Sequence, residues 1–301
     1  NVVSGSVFVT FNPVVNTTYT LNSITDANTC SNAAPGSSVS VTITPSPTAA
    51  ISGTTSVCQN ATSPDITFTG AGGTTPYTFT YTINGGSNQT VTTTGINTSV
   101  TVAAPTGVTG TFVYDLVSVS GGNGCSQTQS GSATVTVNTL PTATIGGTAT
   151  VCKDATAPLI TFTGAGGTAP YTFTYTINGG SNQTVTTMVG NSVTVTAPTG
   201  TPGTFTYALV SVSDNNLCSQ AQSGSAVITV NTLPTASVSG TTGVCLNGAA
   251  PDITFTGANG LAPYSITYNI NGGSNVTVMT VGNTATVSVP TGVAGTFTYN
   301  L

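Results

Sequence analysis

Residues 76–86 read PYTFTYTINGG, and this stretch decides the fold. Tyr77, Phe79, Tyr81 and Ile83 alternate with Thr78, Thr80 and Thr82. That period of two predicts a β-strand with one buried face, and Asn84-Gly85-Gly86 behind it is a strong hairpin-turn signal. The same letters return at residues 170–180, and the variant PYSITYNINGG stands at 263–273. The chain is an array spaced around this strand.

Other markers keep the same period. Pro76, Pro170 and Pro263 lie 94 and then 93 residues apart, as do Cys58, Cys152 and Cys245. Cys30, Cys125 and Cys218 follow at 95 and 93. Each unit opens on Pro-Thr-Ala at Pro47, Pro141 or Pro234. The expected domains are therefore 47–140 and 141–233 as complete repeats, with 1–46 the C-terminal part of one repeat and 234–301 the N-terminal part of another. Tyr19, Leu21, Ile24 and Cys30 align with Tyr114, Leu116, Val119 and Cys125. A part-repeat leaves a core face open, so a longer chain or a neighbouring molecule is expected to complete each. The joints read TPSP at 44–47 and NTLP at 138–141 and 231–234. Short Pro-containing joints act as stiff spacers, which predicts a rod.

Within 47–140 the pattern predicts seven strands: 49–57, 65–69, the strand at 76–86, 89–93, 99–103, 111–119 and 133–137. In the sixth, Phe112, Tyr114 and Leu116 share one face, after which Val117 and Val119 take the opposite parity. Phe205, Tyr207 and Leu209, then Val210 and Val212, repeat the slip. A change of phase inside a strand is what a β-bulge produces, so one is expected near Leu116 and near Leu209. The expected fold is all-β: tandem seven-stranded immunoglobulin-like β-sandwiches arranged as a rod. A β-helix is the competing reading, but its repeats are far shorter.

Only 2% of the 301 residues are charged, against about a quarter in ordinary proteins. The net charge is -5, the one cation is Lys153, and His, Glu and Trp do not occur. Nucleic acid and anionic membrane both require clustered Lys or Arg, so neither is an expected partner. No run of 18 apolar residues exists to insert as a helix. The acids Asp26, Asp65, Asp115, Asp154, Asp214 and Asp252 are scattered. That distribution argues against acid–base catalysis and calcium loops, so no enzyme activity, catalytic residue, metal or cofactor is expected.

The cysteines fall in two recurring places, after the first and after the sixth strand. The simplest connectivity is Cys58–Cys125 and Cys152–Cys218, one disulfide inside each complete repeat. Cys30 and Cys245 are then left unpaired within the window, their partners lying in a missing half repeat or a neighbouring molecule. Buried free thiols and zinc compete with this reading. The flanks CQNAT and GCSQ are polar, and neither CxxC spacing nor His is present. Disulfides imply an oxidising setting.

Asn16, Asn60, Asn88, Asn97, Asn182 and Asn275 head N-x-S/T triplets, as chance allows in so Ser- and Thr-rich a chain. The outward hydroxyls suit a solvated face, glycans, or water ordering at ice or mineral. Tyr77, Tyr81 and Tyr114 share parity with Phe79 and Phe112 and are expected in the core, though exposed they could serve a carbohydrate-binding module. With almost no charge, the sheet edges lack the usual Lys guard. Other copies of the same protein are therefore expected partners, by lateral or end-to-end assembly, with glycans as further candidates.

GAGGTAPYTFTYTINGG at residues 164–180, with the two-cysteine frame, resembles the tandem immunoglobulin-like or PKD-like repeats of giant Bacteroidota surface adhesins. The resemblance spans essentially the whole chain. It implies type IX secretion of the gliding-motility-associated kind and an extracellular or cell-surface location. The implied role is that of a structural spacer giving an adhesin or filament length and stiffness.

Overall fold

The computed structural model describes residues 11–33 and 36–301. Among these residues every regular element is a strand. The chain divides into two compact units, Asn1–Asn138 and Thr139–Leu301.

In the first unit, β1 (Thr17–Thr20), β2 (Ser23–Thr25), β3 (Ser31–Ala33) and β4 (Ser38–Val41) precede one full repeat. The repeat contains β5 (Thr48–Ser52), β6 (Thr55–Cys58), β7 (Asp65–Ala71), β8 (Thr78–Ile83), β9 (Gln89–Thr92), β10 (Ser99–Ala103), β11 (Gly110–Ser120), β12 (Ser126–Thr128) and β13 (Ser132–Asn138). One sheet has the order β10-β7-β5; the other runs β6-β13-β11-β8-β9, with β12 beside β11. Phe68 of the first sheet lies 5.7 Å from Phe79 and 4.9 Å from Tyr81 of the second, ring centre to ring centre. Ile66, Tyr114, Leu116, Val119 and Val135 complete the buried layer. Two antiparallel-rich sheets closed over one core make an immunoglobulin-like sandwich, as the alternation predicts.

Strand 49–57 of the sequence reading is in fact two strands. β5 pairs with β7 in the smaller sheet, while β6 pairs in parallel with β13 in the larger. The switch occurs at Gly53, whose φ is +116° and where a Cβ would stand 2.5 Å from the Asp65 carbonyl oxygen. Glycine alone permits both. With β12 added, the repeat has nine strands in place of the expected seven.

The organising strand behaves as its letters dictate. Tyr77, Phe79 and Tyr81 are buried. Asn84 and Gly85 have φ of 49° and 68°, the signature of a type I′ turn. Asn84 adds a tertiary role: its Oδ1 accepts from the Val113 backbone N–H at 2.7 Å, tying the turn to β11. The register of β8 on β11 slips between Leu116 and Ser118, so Val117 is the bulged residue. In the second repeat Tyr175 faces Leu209 and Thr174 faces Ser211, bulging Val210. The peptide before Pro76, Pro170 and Pro263 is cis in each copy.

The second unit repeats the pattern from Thr142–Gly146 to Ser225–Asn231, then begins a third copy at Thr235–Ser239. In the part-repeat before Pro47 the core positions are wet, whereas in the one that opens at Pro234 Phe255, Ile266 and Tyr268 stay buried. Leu21 and Ile24 are 46% and 59% exposed, whereas the equivalent Leu116 and Val119 are 3% and 1% exposed.

Candidate functional site

The recurring sulfurs lie at the two poles of each sandwich. Cys58 ends β6 opposite Asn138, the last residue of β13, and the Gln59 N–H donates to the Asn138 carbonyl at 2.8 Å. Cys125 lies in the turn between β11 and β12, where its carbonyl accepts from the Gly121 N–H at 2.9 Å. Along β11, Gly110 faces Val137 at the Cys58 pole and Ser120 faces Ser126 at the Cys125 pole. The 11 residues of β11 separate the poles by roughly 30 Å at about 3.3 Å per residue. A disulfide needs Cα atoms within about 7 Å.

The expected pairings Cys58–Cys125 and Cys152–Cys218 are therefore not made. Cys125 and Cys152 carry free thiols, as do Cys30 and Cys245, whereas Cys58 and Cys218 are disulfide-bonded. In the second repeat the polarity is the same. Cys152 ends its strand opposite Asn231, while Cys218 sits beyond Ser213 in the turn at the other end. The sequence reading placed both cysteines after strands but missed that those strands run in opposite directions.

The turn around Cys218 is built by a buried carboxylate. Asp214, 5% exposed, accepts from the Cys218 and Asn216 N–H groups through Oδ1 and from the Thr168 N–H through Oδ2, at 2.9–3.0 Å. Asp26 makes the same local turn to Asn28 and Cys30. In the first full repeat Gly121 replaces the acid, and Asn123 Oδ1 takes over the bond to the Cys125 N–H at 3.2 Å. These carboxylates are spent on turn geometry. Asp154 pairs with its neighbour Lys153 at 2.8 Å on the surface, where such a pair adds little. Among the described residues no three His, Cys, Asp or Glu side chains gather as a metal site would require.

Each pole also borders a joint between repeats. Within the first unit, Thr44 Oγ1 lies 3.6 Å from Cys125 Sγ and accepts from Asn123 Nδ2 at 2.7 Å. Within the second, Thr232 Oγ1 donates to the Asn259 carbonyl across the Thr232–Pro234 joint. A cleft of about 830 Å3 at that joint is lined by Cys152, Asn231, Pro234, Gly260, Leu261 and Tyr264. The joints are thus tied by side-chain hydrogen bonds.

Tyr77, Tyr81 and Tyr114 lie in the core, between 0% and 4% exposed. The outer hydroxyls bond sideways to one another: Thr78 to Thr92 and Thr172 to Thr186, both at 2.9 Å. Asn16, Asn60, Asn88, Asn97, Asn182 and Asn275 are all exposed. Buried Thr93, Thr187 and Thr280 escaped the sequence reading; each Oγ accepts the backbone N–H of the strand-opening tyrosine 16 residues earlier. That constant offset across three copies was the available signal.

No family model matches the sequence, and no curated protein matches it. Among solved structures, the chain is similar to one from a 1.5-MDa bacterial ice-binding adhesin, at 15% identity over 82% of this chain and 88% of that one, with a TM-score of 0.38. A three-immunoglobulin-domain segment of titin shares 12% identity over 83% and 89% of the two chains, TM-score 0.48. A tetra-tandem repeat from the extending region of a large adhesion protein shares 19% identity over 92% and 74%, TM-score 0.29. With these scores below 0.5, the assignment of the chain as tandem immunoglobulin-like sandwiches rests on its own strand order and shared cores.

Proposed function

We propose that this chain is a structural repeat segment of an extracellular adhesin or filament, giving length and stiffness at a bacterial cell surface. The observation that supports it most is the joint. Only Thr232, Leu233 and Pro234 separate strand Ser225–Asn231 from strand Thr235–Ser239, and Thr232 is hydrogen-bonded across the gap. A three-residue linker with Pro and a side-chain tie resists free swivelling. The role is mechanical and non-catalytic, since the buried carboxylate Asp214 is committed to backbone N–H groups. The disulfide-bonded Cys58 and Cys218 favour an oxidising location outside the cytoplasm.

Self-association belongs to the same proposal. The edge strands β9 and β10 read QTVT and SVTVA and carry no charge to repel a neighbouring edge. Export by a type IX route and a Bacteroidota-type surface follow from the resemblance in GAGGTAPYTFTYTINGG. Glycans at the exposed N-x-S/T asparagines are a further part of the reading. A carbohydrate-binding role has less support, because the tyrosines it would use are in the core.

Small-angle scattering and negative-stain microscopy of the whole chain test the mechanical role. A slender particle one sandwich wide is expected. Repeats that tumble independently in NMR relaxation would overturn the stiffness. Sedimentation at low salt tests assembly: oligomers that grow with concentration support it, and a monomer at every concentration removes that part.

A further inference from the structure

The part-repeat at 234–301 presents an open sheet edge beside an apolar groove, and the part-repeat before Pro47 presents a hairpin with a wet apolar face. We propose that the β1–β4 hairpin of a second copy of this chain docks on that edge, completing the sandwich and joining copies head to tail. The docking rests on the self-association proposed above and is distinct from lateral pairing through β9 and β10.

The complete repeat defines what the open edge accepts. There β11 runs along the whole of β8, from Ile83 to Thr78, and β13 stands between β11 and β6. In the part-repeat, strand Ser265–Ile270 is the equivalent of β8. On the side that β11 would take, only its Asn269 and Ile270 are paired, with Asn300 and Tyr299. Among the described residues no strand of this part-repeat takes the place of β13, and residues 242–245, equivalent to β6, form no strand. A groove of about 570 Å3 lies there, lined by Val238, Val244, Ile253, Val289, Phe297 and Tyr299. Ile253 is half-buried, whereas its equivalents Ile66 and Ile160 are fully buried.

The hairpin is a preformed copy of the β11–β13 pair. Tyr19 faces Val39 and Thr17 faces Val41, as Tyr114 faces Ala133 and Phe112 faces Val135. Its outer face is polar, with the Thr18 and Ser40 hydroxyls hydrogen-bonded at 2.9 Å. Its inner face is apolar: Leu21, Ile24, Val39, Val41 and Ile43 are 37–63% exposed. Their equivalents Leu116, Val119, Ala133, Val135 and Val137 are at most 3% exposed. Among the described residues no other hairpin of this pattern stands outside a complete core, so a second copy supplies the occupant.

The register of β11 on β8 fixes the seating. Tyr19 comes opposite Ile270, Leu21 opposite Tyr268 and Ile24 opposite Ile266, as Tyr114, Leu116 and Val119 stand opposite Ile83, Tyr81 and Phe79. The hairpin displaces the two-residue pairing of Tyr299–Asn300 and adds a longer one, which is strand addition at an exposed edge. Tyr19 gives up its stacking on Phe11 at 4.4 Å and takes over the place on Tyr268 that Tyr299 holds at 5.8 Å. Neither β1, β4 nor Ser265–Ile270 carries a charge to oppose the contact. Because donor and acceptor lie at different places in the chain, the contact is heterologous and propagates into a filament.

The docking also brings two sulfurs together. Cys58 faces Asn138 in the β6–β13 pair, and their equivalents are Cys245 and Thr44. Within its own copy Thr44 Oγ1 lies 3.6 Å from Cys125 Sγ. Cys245 of one copy therefore arrives beside Cys125 of the second copy, and both are free thiols.

The test is sedimentation of residues 1–301 at rising concentration, then treatment with oxidised glutathione and a non-reducing gel. The Cys125 thiolate displaces one glutathione from its disulfide, and the Cys245 thiolate displaces the second. Glutathione takes up the two electrons and two protons. Oligomers that grow with concentration are expected, with a covalent ladder whose peptides join Cys245 to Cys125. Val39→Asp should abolish both, while Ser40→Asp on the outer face of the same strand and Thr90→Lys on β9 should spare both. Oligomers that survive Val39→Asp but not Thr90→Lys would overturn the docking and keep lateral self-association. Oligomers without the Cys245–Cys125 link would overturn it too, and a monomer at every concentration would remove both. A Cys245–Cys125 link within the monomer would seat the chain's own hairpin and exclude the second copy.

Discussion

Gly164 lies directly beneath the ring of Tyr171: a Cβ on Gly164 would stand 2.5 Å from Tyr171 Cγ. The same apposition joins Gly70 to Tyr77 and Gly257 to Tyr264, at 2.6 and 2.4 Å. The glycine is on one sheet and the tyrosine opens the organising strand of the other, so the pair sets how closely the sheets approach. Tyr171 cannot yield, because its hydroxyl donates to the Gly167 carbonyl at 2.8 Å and its N–H is held by Thr187. Gly164→Ala is therefore expected to destabilise its repeat by about 1–3 kcal/mol, the usual cost of overpacking. Urea unfolding followed by tyrosine fluorescence should show an earlier transition for that repeat, and an unchanged midpoint would refute the close fit.

Thr187 makes the second half of this corner. It is 2% exposed, and its Oγ1 accepts the Tyr171 N–H at 2.9 Å. Thr187→Val keeps the shape but removes the acceptor, leaving a buried N–H unsatisfied at a cost of about 1–3 kcal/mol. Hydrogen exchange should accelerate at the Tyr171 amide in particular. Thr186→Val, on the exposed side of the same strand, should change little.

Much of this was legible in the sequence, and the reasons differ by element. The alternation of Tyr77, Phe79 and Tyr81 with Thr fixes a buried face because side chains on a strand alternate strictly. The parity slip at Leu116 survives as the Val117 bulge for the same reason. The break at Gly53 was hidden: a single glycine in TAAISGTTSVC reads equally as a weak spot in one strand, and only the Asp65 carbonyl approaching from β7 shows why it is needed. The sulfur pairing failed for a related reason. Position after a strand says which pole a cysteine occupies only when strand direction is known, and the parallel β6–β13 pairing supplies that direction.

Two buried tyrosine hydroxyls make a matched comparison. The Tyr114 hydroxyl is buried without a hydrogen-bond partner among the described residues, whereas that of Tyr171 is satisfied by Gly167. Removing an unmet polar group relieves a desolvation cost, but removing a met one strands its partner. Tyr114→Phe is expected to hold or raise stability by up to about 1 kcal/mol, and Tyr171→Phe to lower it by about 1 kcal/mol. Equal losses in the two variants, measured by urea midpoints, would contradict the assignment.

The core tyrosines also set the response to alkali. Burial raises the hydroxyl pKa of Tyr81, Tyr114, Tyr175 and Tyr207 above the ordinary 10.0; the neighbouring phenol of Tyr81 adds to the rise at Tyr114, and that of Tyr175 at Tyr207. In the unfolded chain these groups ionise near 10, while in the fold they keep their protons. Above that pH the unfolded state therefore binds fewer protons, and stability falls as pH rises. The contribution is fully present below pH 10 and is lost as pH climbs through the raised folded values, by at most about 1.4 kcal/mol per pH unit for each tyrosine. Urea midpoints should be flat from pH 8 to 9.5 and drop beyond, and Tyr114→Phe should lessen the drop for its own repeat. A midpoint that stayed level to pH 11 would mean that these phenols ionise as readily inside the sandwich as outside it, and would refute the desolvation argued from the burial of Tyr81 and Tyr114 among Phe68, Phe79 and Val119 and of Tyr175 and Tyr207 among Phe162, Phe173 and Val212.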